Sequence, residues 1–127
     1  MDRELSRRFL VGVVDDDESV REALPDLLRE SGYAAQAFAS AEELLGSGDI
    51  VRFGCLVLDI AMPGMSGLEL HRELRRRGQR IPVVFITANG DQTVRPRLLE
   101  QGAVDCLFKP FSETALLSAV SAAEGAA

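Results

Sequence analysis

Polar residues stand at the ends of four apolar runs: Asp15 and Asp16 after Phe9 to Val14, Asp59 after Cys55 to Leu58, Thr87 after Ile81 to Ile86, and Lys109 after Ala103 to Phe108. Carboxylates brought close together repel one another and call for a hard divalent cation. Oxygen-only donors suit Mg²⁺ better than zinc or copper, with Mn²⁺ as a substitute ion. A metal beside a carboxylate neutralises an incoming phosphoryl group, while an ammonium and a hydroxyl hold its remaining oxygens. Asp59 stands apart from the adjacent pair and is the natural nucleophile, forming an aspartyl phosphate; Asp15 and Asp16 read as metal ligands. Taken singly, each residue has a plainer reading: a solvated helix start for Asp15 to Glu18, turn chemistry for Asp59, an element-end cap for Thr87, and surface charge for Lys109. Their joint placement at strand ends favours the site.

The order of the elements supplies an architecture that brings such positions together. Five short apolar runs alternate with segments of helical period, the pattern of an α/β fold with a parallel sheet covered on both faces. In an open parallel sheet the carboxyl ends of all strands point the same way, so the five side chains share one crevice. Glu18 to Glu30 places Val20, Leu24, Leu27 and Leu28 on one helical face, with Pro25 inside as a kink or a lost backbone bond and Ser31-Gly32 as the stop. Tyr33 to Phe38, mostly alanine, suits an edge strand. Ser40 with Glu43 forms a capping-box pattern ahead of a short helix to Gly46. A turn over Ile60 to Gly64 leads to a helix from Ser66, carrying Leu68, Leu70, His71 and Leu74 and ending in Arg75 to Gly78. A loop through Asn89-Gly90-Asp91 precedes a helix weakened by Pro96, and Ser112 caps a last helix that should fray from Ser121 to Ala127.

Composition sets outer limits. The chain has 127 residues, enough for one domain, with a core expected over about residues 9 to 122 and flexible ends. Its 14 Lys and Arg against 20 Asp and Glu give a net charge of -6, which argues against broad nucleic-acid binding. Cys55, Cys106 and the single His71 are too few for a disulfide scaffold or a zinc site and point to a cytoplasmic setting. No stretch approaches the roughly 18 apolar residues of a membrane span, and the charged Met1 to Arg8 does not resemble a signal peptide.

The motifs closely resemble the receiver domain of bacterial two-component response regulators: Val14-Asp15-Asp16-Asp17, Leu56-Val57-Leu58-Asp59-Ile60 with Met62-Pro63-Gly64-Met65-Ser66-Gly67, Pro82 to Ala88, and Gly102-Ala103 with Lys109-Pro110-Phe111. The resemblance implies a flavodoxin-like (βα)5 three-layer sandwich with a parallel five-stranded sheet of order 2-1-3-4-5. It implies that Asp59 accepts a phosphoryl group from a sensor histidine kinase and that Asp15, Asp16, Asp59 and the backbone carbonyl of Ala61 hold Mg²⁺. Thr87 and Lys109 would contact the phosphoryl group. The domain would act as a catalyst of its own phosphotransfer and dephosphorylation rather than as a metabolic enzyme. A cis Lys109-Pro110 bond is expected, and Ala88, Cys106, Phe108 and Pro110 fall in the switch region. Phe38 to Glu43 and Asn89-Gly90-Asp91 are most similar to receivers that precede a LuxR-type helix-turn-helix output. That implies a role in transcription regulation, an output domain or partner protein, and a phosphorylation-dependent homodimer through the fourth helix, fifth strand and fifth helix.

Two departures from the pattern bear on switching. Cys106 stands three positions before the lysine, where receivers usually carry an aromatic rotor, and Thr93 to Arg97, with Pro96, replaces an alanine-rich helix start. These leave open a degenerate receiver that works as a phosphorylation-independent interaction module. A flavodoxin-like or small phosphatase enzyme is disfavoured, because Asp15 to Asp17 stands where a Gly-rich phosphate loop would be needed. Cys55 and Cys106 read as core packing, His71 as flank or surface packing, Arg75 to Arg77 as solvated helix-end charge, and Met62 and Met65 as part of a flexible turn.

Overall fold

The computed structural model describes residues 9–48, 50–88 and 92–126. Five parallel strands, β1 (Leu10–Val14), β2 (Ala34–Phe38), β3 (Cys55–Asp59), β4 (Val83–Thr87) and β5 (Asp105–Phe108), form one sheet in the order β2-β1-β3-β4-β5. The helices between and after them are α1 (Glu18–Glu30), α2 (Ala41–Gly46), α3 (Gly67–Arg76), α4 (Val94–Glu100) and α5 (Glu113–Ala126), with a 3₁₀ turn at Ile50–Arg52. This is the α/β parallel-sheet fold expected from the alternation of apolar runs and helical periods, with the flavodoxin-like strand order that the resemblance implies. Two expected strands start later than their apolar runs do, at Val83 and Asp105. The expected Asn89-Gly90-Asp91 loop and the Met1 to Arg8 segment lie outside the described residues.

Alternating side chains of the central strands feed two separate cores. On one face Leu56, Leu58 and Phe85 pack with Leu44 of α2, Leu70 and Leu74 of α3 and Leu98 of α4. On the other, Val11, Val13, Val57, Val84 and Ile86 pack with Leu24 and Leu28 of α1 and Leu116 and Val120 of α5. Covering on both faces explains the unbroken burial of β3 and β4 and the near-continuous apolar runs that encode them.

Local signals fix the helix ends. Asp17 caps α1, its carboxylate accepting from the Ser19 N–H at 3.0 Å. Ser40 Oγ accepts from the Glu43 N–H at 3.0 Å, while the Glu43 carboxylate reaches back to the Ala39 N–H. A complete capping box forms at Ser66 and Glu69. α1 runs through Pro25, whose ring is buried. Pro96 occupies the third position of α4, where the backbone N–H has no intrahelical partner in any case, so a helix forms there but extends only seven residues. α5 departs from expectation at its end: it continues to Ala126 instead of unravelling from Ser121, because Ala123 is fully buried against the second core.

Candidate functional site

The parallel sheet brings the ends of β1, β3, β4 and β5 to one edge. Asp15 follows β1 and is tied to its neighbour strand by its own N–H, which donates to Phe38 O at 3.1 Å. Asp59 is the last residue of β3, registered opposite Ile86, and the next residue, Ile60, donates to Ile86 O at 2.9 Å. Thr87, one step beyond Ile86, is buried and pairs in register with Phe108. Lys109 leaves β5 through an N–H donated to Thr87 O at 2.8 Å, ahead of a cis Lys109-Pro110 bond. Backbone pairing alone therefore stations these residues side by side.

Their side chains converge as well. One carboxylate oxygen from each of Asp15, Asp16 and Asp59 lies within 4.8 Å of the others. Asp15 is 0% and Asp59 5% exposed, whereas Asp16 is exposed at the rim. Lys109 Nζ donates to Asp15 Oδ2 at 3.1 Å, and the second Asp15 oxygen accepts from the Asp17 N–H at 2.9 Å. The Ala61 N–H donates to Asp59 Oδ1 at 3.4 Å. Three carboxylates, two of them buried, face one ammonium, so the edge carries an excess of acidic groups.

That excess shows in the titration of the groups. Burial, and then the charge of Asp15, push Asp59 up to about 7, against the opposing pull of Lys109 and the Ala61 N–H. Desolvation of the Lys109 ammonium works downward, but its hydrogen bond to Asp15 and the charges of Asp15, Asp59 and Asp17 outweigh it and raise the group above its ordinary value. A divalent cation would relieve the same repulsion. The donor set is all oxygen, partly buried and rigidly based, and it fits Mg²⁺.

A family model for the response regulator receiver domain matches residues 11–121. The chain belongs to the response regulator receiver family. It is 41% identical over 117 residues to the response regulator protein TodT of Pseudomonas putida, covering 92% of this chain and 52% of that protein. It is 46% identical over 120 residues to nodulation protein W of Bradyrhizobium diazoefficiens, covering 94% of this chain and 53% of that one. Among solved structures, the crystal structure of FixJ-N superimposes with a TM-score of 0.84 at 39% identity, covering 94% of this chain and 95% of that one. This receiver spans about half the length of the curated relatives it matches. Its Asp15, Asp16 and Asp59 cluster is consistent with the phosphoaspartate and metal site of that family.

Of the expected switch positions, Ala88 and Pro110 are exposed and Phe108 is half-buried against the first core. Cys106 is buried in that core, where desolvation and the neighbouring Asp105 raise its thiol above the ordinary value. Cys55 is buried in the second core and pushed up to about 12 by desolvation. Both cysteines are packing residues. His71 is buried on the flank, its ring edge-on to Phe85 at 5.4 Å. Met62 corrects the picture of a flexible turn: it is buried and packs into the first core, and the Met65 N–H donates to Glu42 Oε2 at 3.1 Å.

Sequence reasoning missed three supports of the site. Glu42 on α2 holds the turn after Asp59, and Arg21 on α1 donates to the Asp15 carbonyl at 3.1 Å. Only the fold brings Glu42 near the turn; Arg21 lies one helical turn beyond the α1 cap, a spacing that could have been read. Gly67 lets α3 start directly against the end of β3: a Cβ there would collide with the Asp59 carbonyl oxygen. The Gly67 N–H donates to Ile60 O at 3.0 Å, closing the turn.

Proposed function

We propose that this chain is a single phosphoacceptor domain over residues 1–127 and that Asp59 takes a phosphoryl group from the phosphohistidine of a sensor histidine kinase. The observation that carries this reading is the convergence of Asp15, Asp16 and Lys109 on a nearly buried Asp59 at the end of the central strand. An Asp59 carboxylate oxygen forms the new bond to phosphorus as the phosphorus–nitrogen bond of the donor breaks, and the donor imidazole leaves with the electron pair. Asp15 and Asp16, with Asp59 and the Ala61 carbonyl, would hold Mg²⁺. When bound, that ion supplies positive charge against the phosphoryl oxygens.

The ammonium of Lys109 shifts its hydrogen bond from Asp15 toward a phosphoryl oxygen, and the Thr87 hydroxyl donates to another. Movement at Thr87 and Ala88 is passed to Cys106, Phe108 and Pro110 and alters the surface of α4, β5 and α5. That surface serves an output domain or partner protein in transcription regulation, or a phosphorylation-dependent homodimer, in the cytoplasm. The half-length match to relatives, among them transcriptional regulatory protein FixJ of Azorhizobium caulinodans, supports an output segment elsewhere in the working protein. No helix among the described residues is long and apolar enough to cross a membrane. The domain also catalyses hydrolysis of its own acyl phosphate.

A second reading, a receiver that works by binding partners without phosphorylation, is favoured by Cys106. A small buried thiol cannot perform an aromatic ring's rotation between buried and exposed states. Intact mass after incubation with acetyl phosphate and Mg²⁺ decides between the two. The first reading expects a gain of roughly 80 Da that needs the metal and is absent in Asp59→Asn. No gain under conditions where beryllofluoride with Mg²⁺ also fails to bind would leave the interaction module.

A further inference from the structure

The opposite edge of the sheet carries a second concentration of charge. Where α3 ends and β4 and β5 begin, His71, Arg75, Arg80, Ile81, Pro82 and Val104 line a cavity of about 200 Å³. We propose that this cavity binds a small carboxylate anion bearing a short apolar body.

Its floor is the imidazole of His71, which is only 6% exposed and packs edge-on against Phe85. No described residue hydrogen-bonds to its ring nitrogens, yet no fully buried side-chain nitrogen or oxygen is left without a partner. An imidazole nitrogen is therefore not fully enclosed, and because His71 lines the cavity that nitrogen is positioned to donate to a ligand there. Five arginines crowd into Arg72 to Arg80 in a chain of net charge -6. Glu73 engages Arg76 at 2.6 Å and Arg77 at 2.7 Å, whereas neither Arg75 nor Arg80 has an acidic partner among the described residues. Both of those residues line the cavity.

Arg75 lays its guanidinium against Gly102. Gly102, at φ 102°, sits so close to the Arg75 guanidinium that a Cβ would overlap it. The half-buried Ile81, Pro82 and Val104 supply an apolar wall. The volume lies below the roughly 300–1,000 Å³ of drug-sized sites, so nucleotides and flavins do not fit. An anion that accepts from guanidinium and imidazole N–H groups while resting a few methylenes on the wall matches both linings. α3 starts at the acidic edge with Gly67 and reaches this cavity with His71 and Arg75, so the two sites lie toward opposite ends of the sheet.

The protein holds a single histidine, so its imidazole Hε1 proton gives one clean NMR resonance. Titrated with butyrate at constant ionic strength and pH, that resonance should move along a saturable curve with half-saturation on the order of 1 mM. The Arg75→Gln/Arg80→Gln variant, checked for fold by circular dichroism, should need at least ~5-fold more butyrate. Arg80→Gln alone should weaken binding in the same direction and serves if the double variant does not fold. Butyramide should leave the resonance in place, and inorganic phosphate should bind more weakly because it leaves the wall uncovered. A linear response, an equal response to butyramide, tighter binding of phosphate, or curves unchanged by the arginine substitutions would overturn the proposal.

Discussion

The ends of β1 and β3 and the flank formed by α4 and β5 are built on different principles. At the first, the acidic residues end or directly follow a central strand paired on both sides, and the turns leaving it are pinned by backbone bonds from Asp15, Ile60 and Gly67. At the second, β5 is a four-residue edge strand and α4 a seven-residue helix whose first turn has no side-chain cap. The two are linked by an ion pair from Arg95 to Asp105 at 2.9 Å, with side chains 46% and 24% exposed. Fixed geometry belongs to the first region, and the second is held by contacts worth little each.

Phe85 joins the two regions, because it is registered opposite Leu58 on one side and Cys106 on the other and is fully buried. Phe85→Ala should cost about 3–5 kcal/mol, the largest loss expected here, measured as a lower urea midpoint with unchanged slope. A cost below about 1 kcal/mol would mean that the core behind the site is loose, and the contrast between a rigid and a soft region would fail.

The charge at the rigid edge gives the next effect. In metal-free protein Asp59 titrates near 7 when folded, against 3.8 as its ordinary value. Between those limits the folded state keeps a proton that the unfolded state has released. This stabilisation is complete below about pH 4 and is lost as pH rises through about 7. The loss should be on the order of 2 kcal/mol, after allowance for screening at the rim. Asp59→Asn should flatten that part of the stability profile and raise the melting temperature of the metal-free protein at neutral pH. A profile that keeps its slope in the variant would place the burden of charge on other groups.

The sequence exposed the rigid region far better than the soft one, and the reason is physical. Strands covered on both faces must be apolar throughout, so an aspartate at the end of such a run is conspicuous, and Asp15 and Asp59 were legible. Capping leaves equally local marks at Ser40, Ser66 and Ser112. Glu42 left no mark, because its hydrogen bond to the turn spans 23 positions and depends on where α2 comes to rest. The burial of Met62 was hidden for a similar reason: the turn itself looks polar, while the core beneath it is assembled from other elements. The continuation of α5 to Ala126 escaped a local reading because alanine and glycine near a terminus suggest fraying, whereas a fully buried Ala123 supports the helix from outside.

A smaller effect tests how the rigid edge passes into α3. Ser66 accepts from the Glu69 N–H at 3.1 Å and the Glu69 carboxylate accepts from the Ser66 N–H at 2.8 Å. Ser66→Ala should cost about 1 kcal/mol in urea unfolding while leaving the Asp59 mass shift in place. Loss of the mass shift at unchanged stability would show that the cap positions the loop after Asp59 as well as the helix.

The smallest predicted effect is at the soft flank. Arg95 Nε donates to Asp105 Oδ1 at 2.9 Å, and the same oxygen accepts from the Cys106 N–H at 2.7 Å, so one carboxylate ties α4 to the backbone of β5. Because both side chains reach solvent, Arg95→Gln should change global stability by only about 0.2–1 kcal/mol. Its local consequence should be larger in proportion: amide hydrogens of α4 should exchange faster, while those of β1 and β3 keep their protection. If protection fell equally in all three, α4 would share one cooperative unit with the acidic edge. A change in the phosphoacceptor region would then spread without a soft hinge, and Cys106 would need no aromatic neighbour to transmit it.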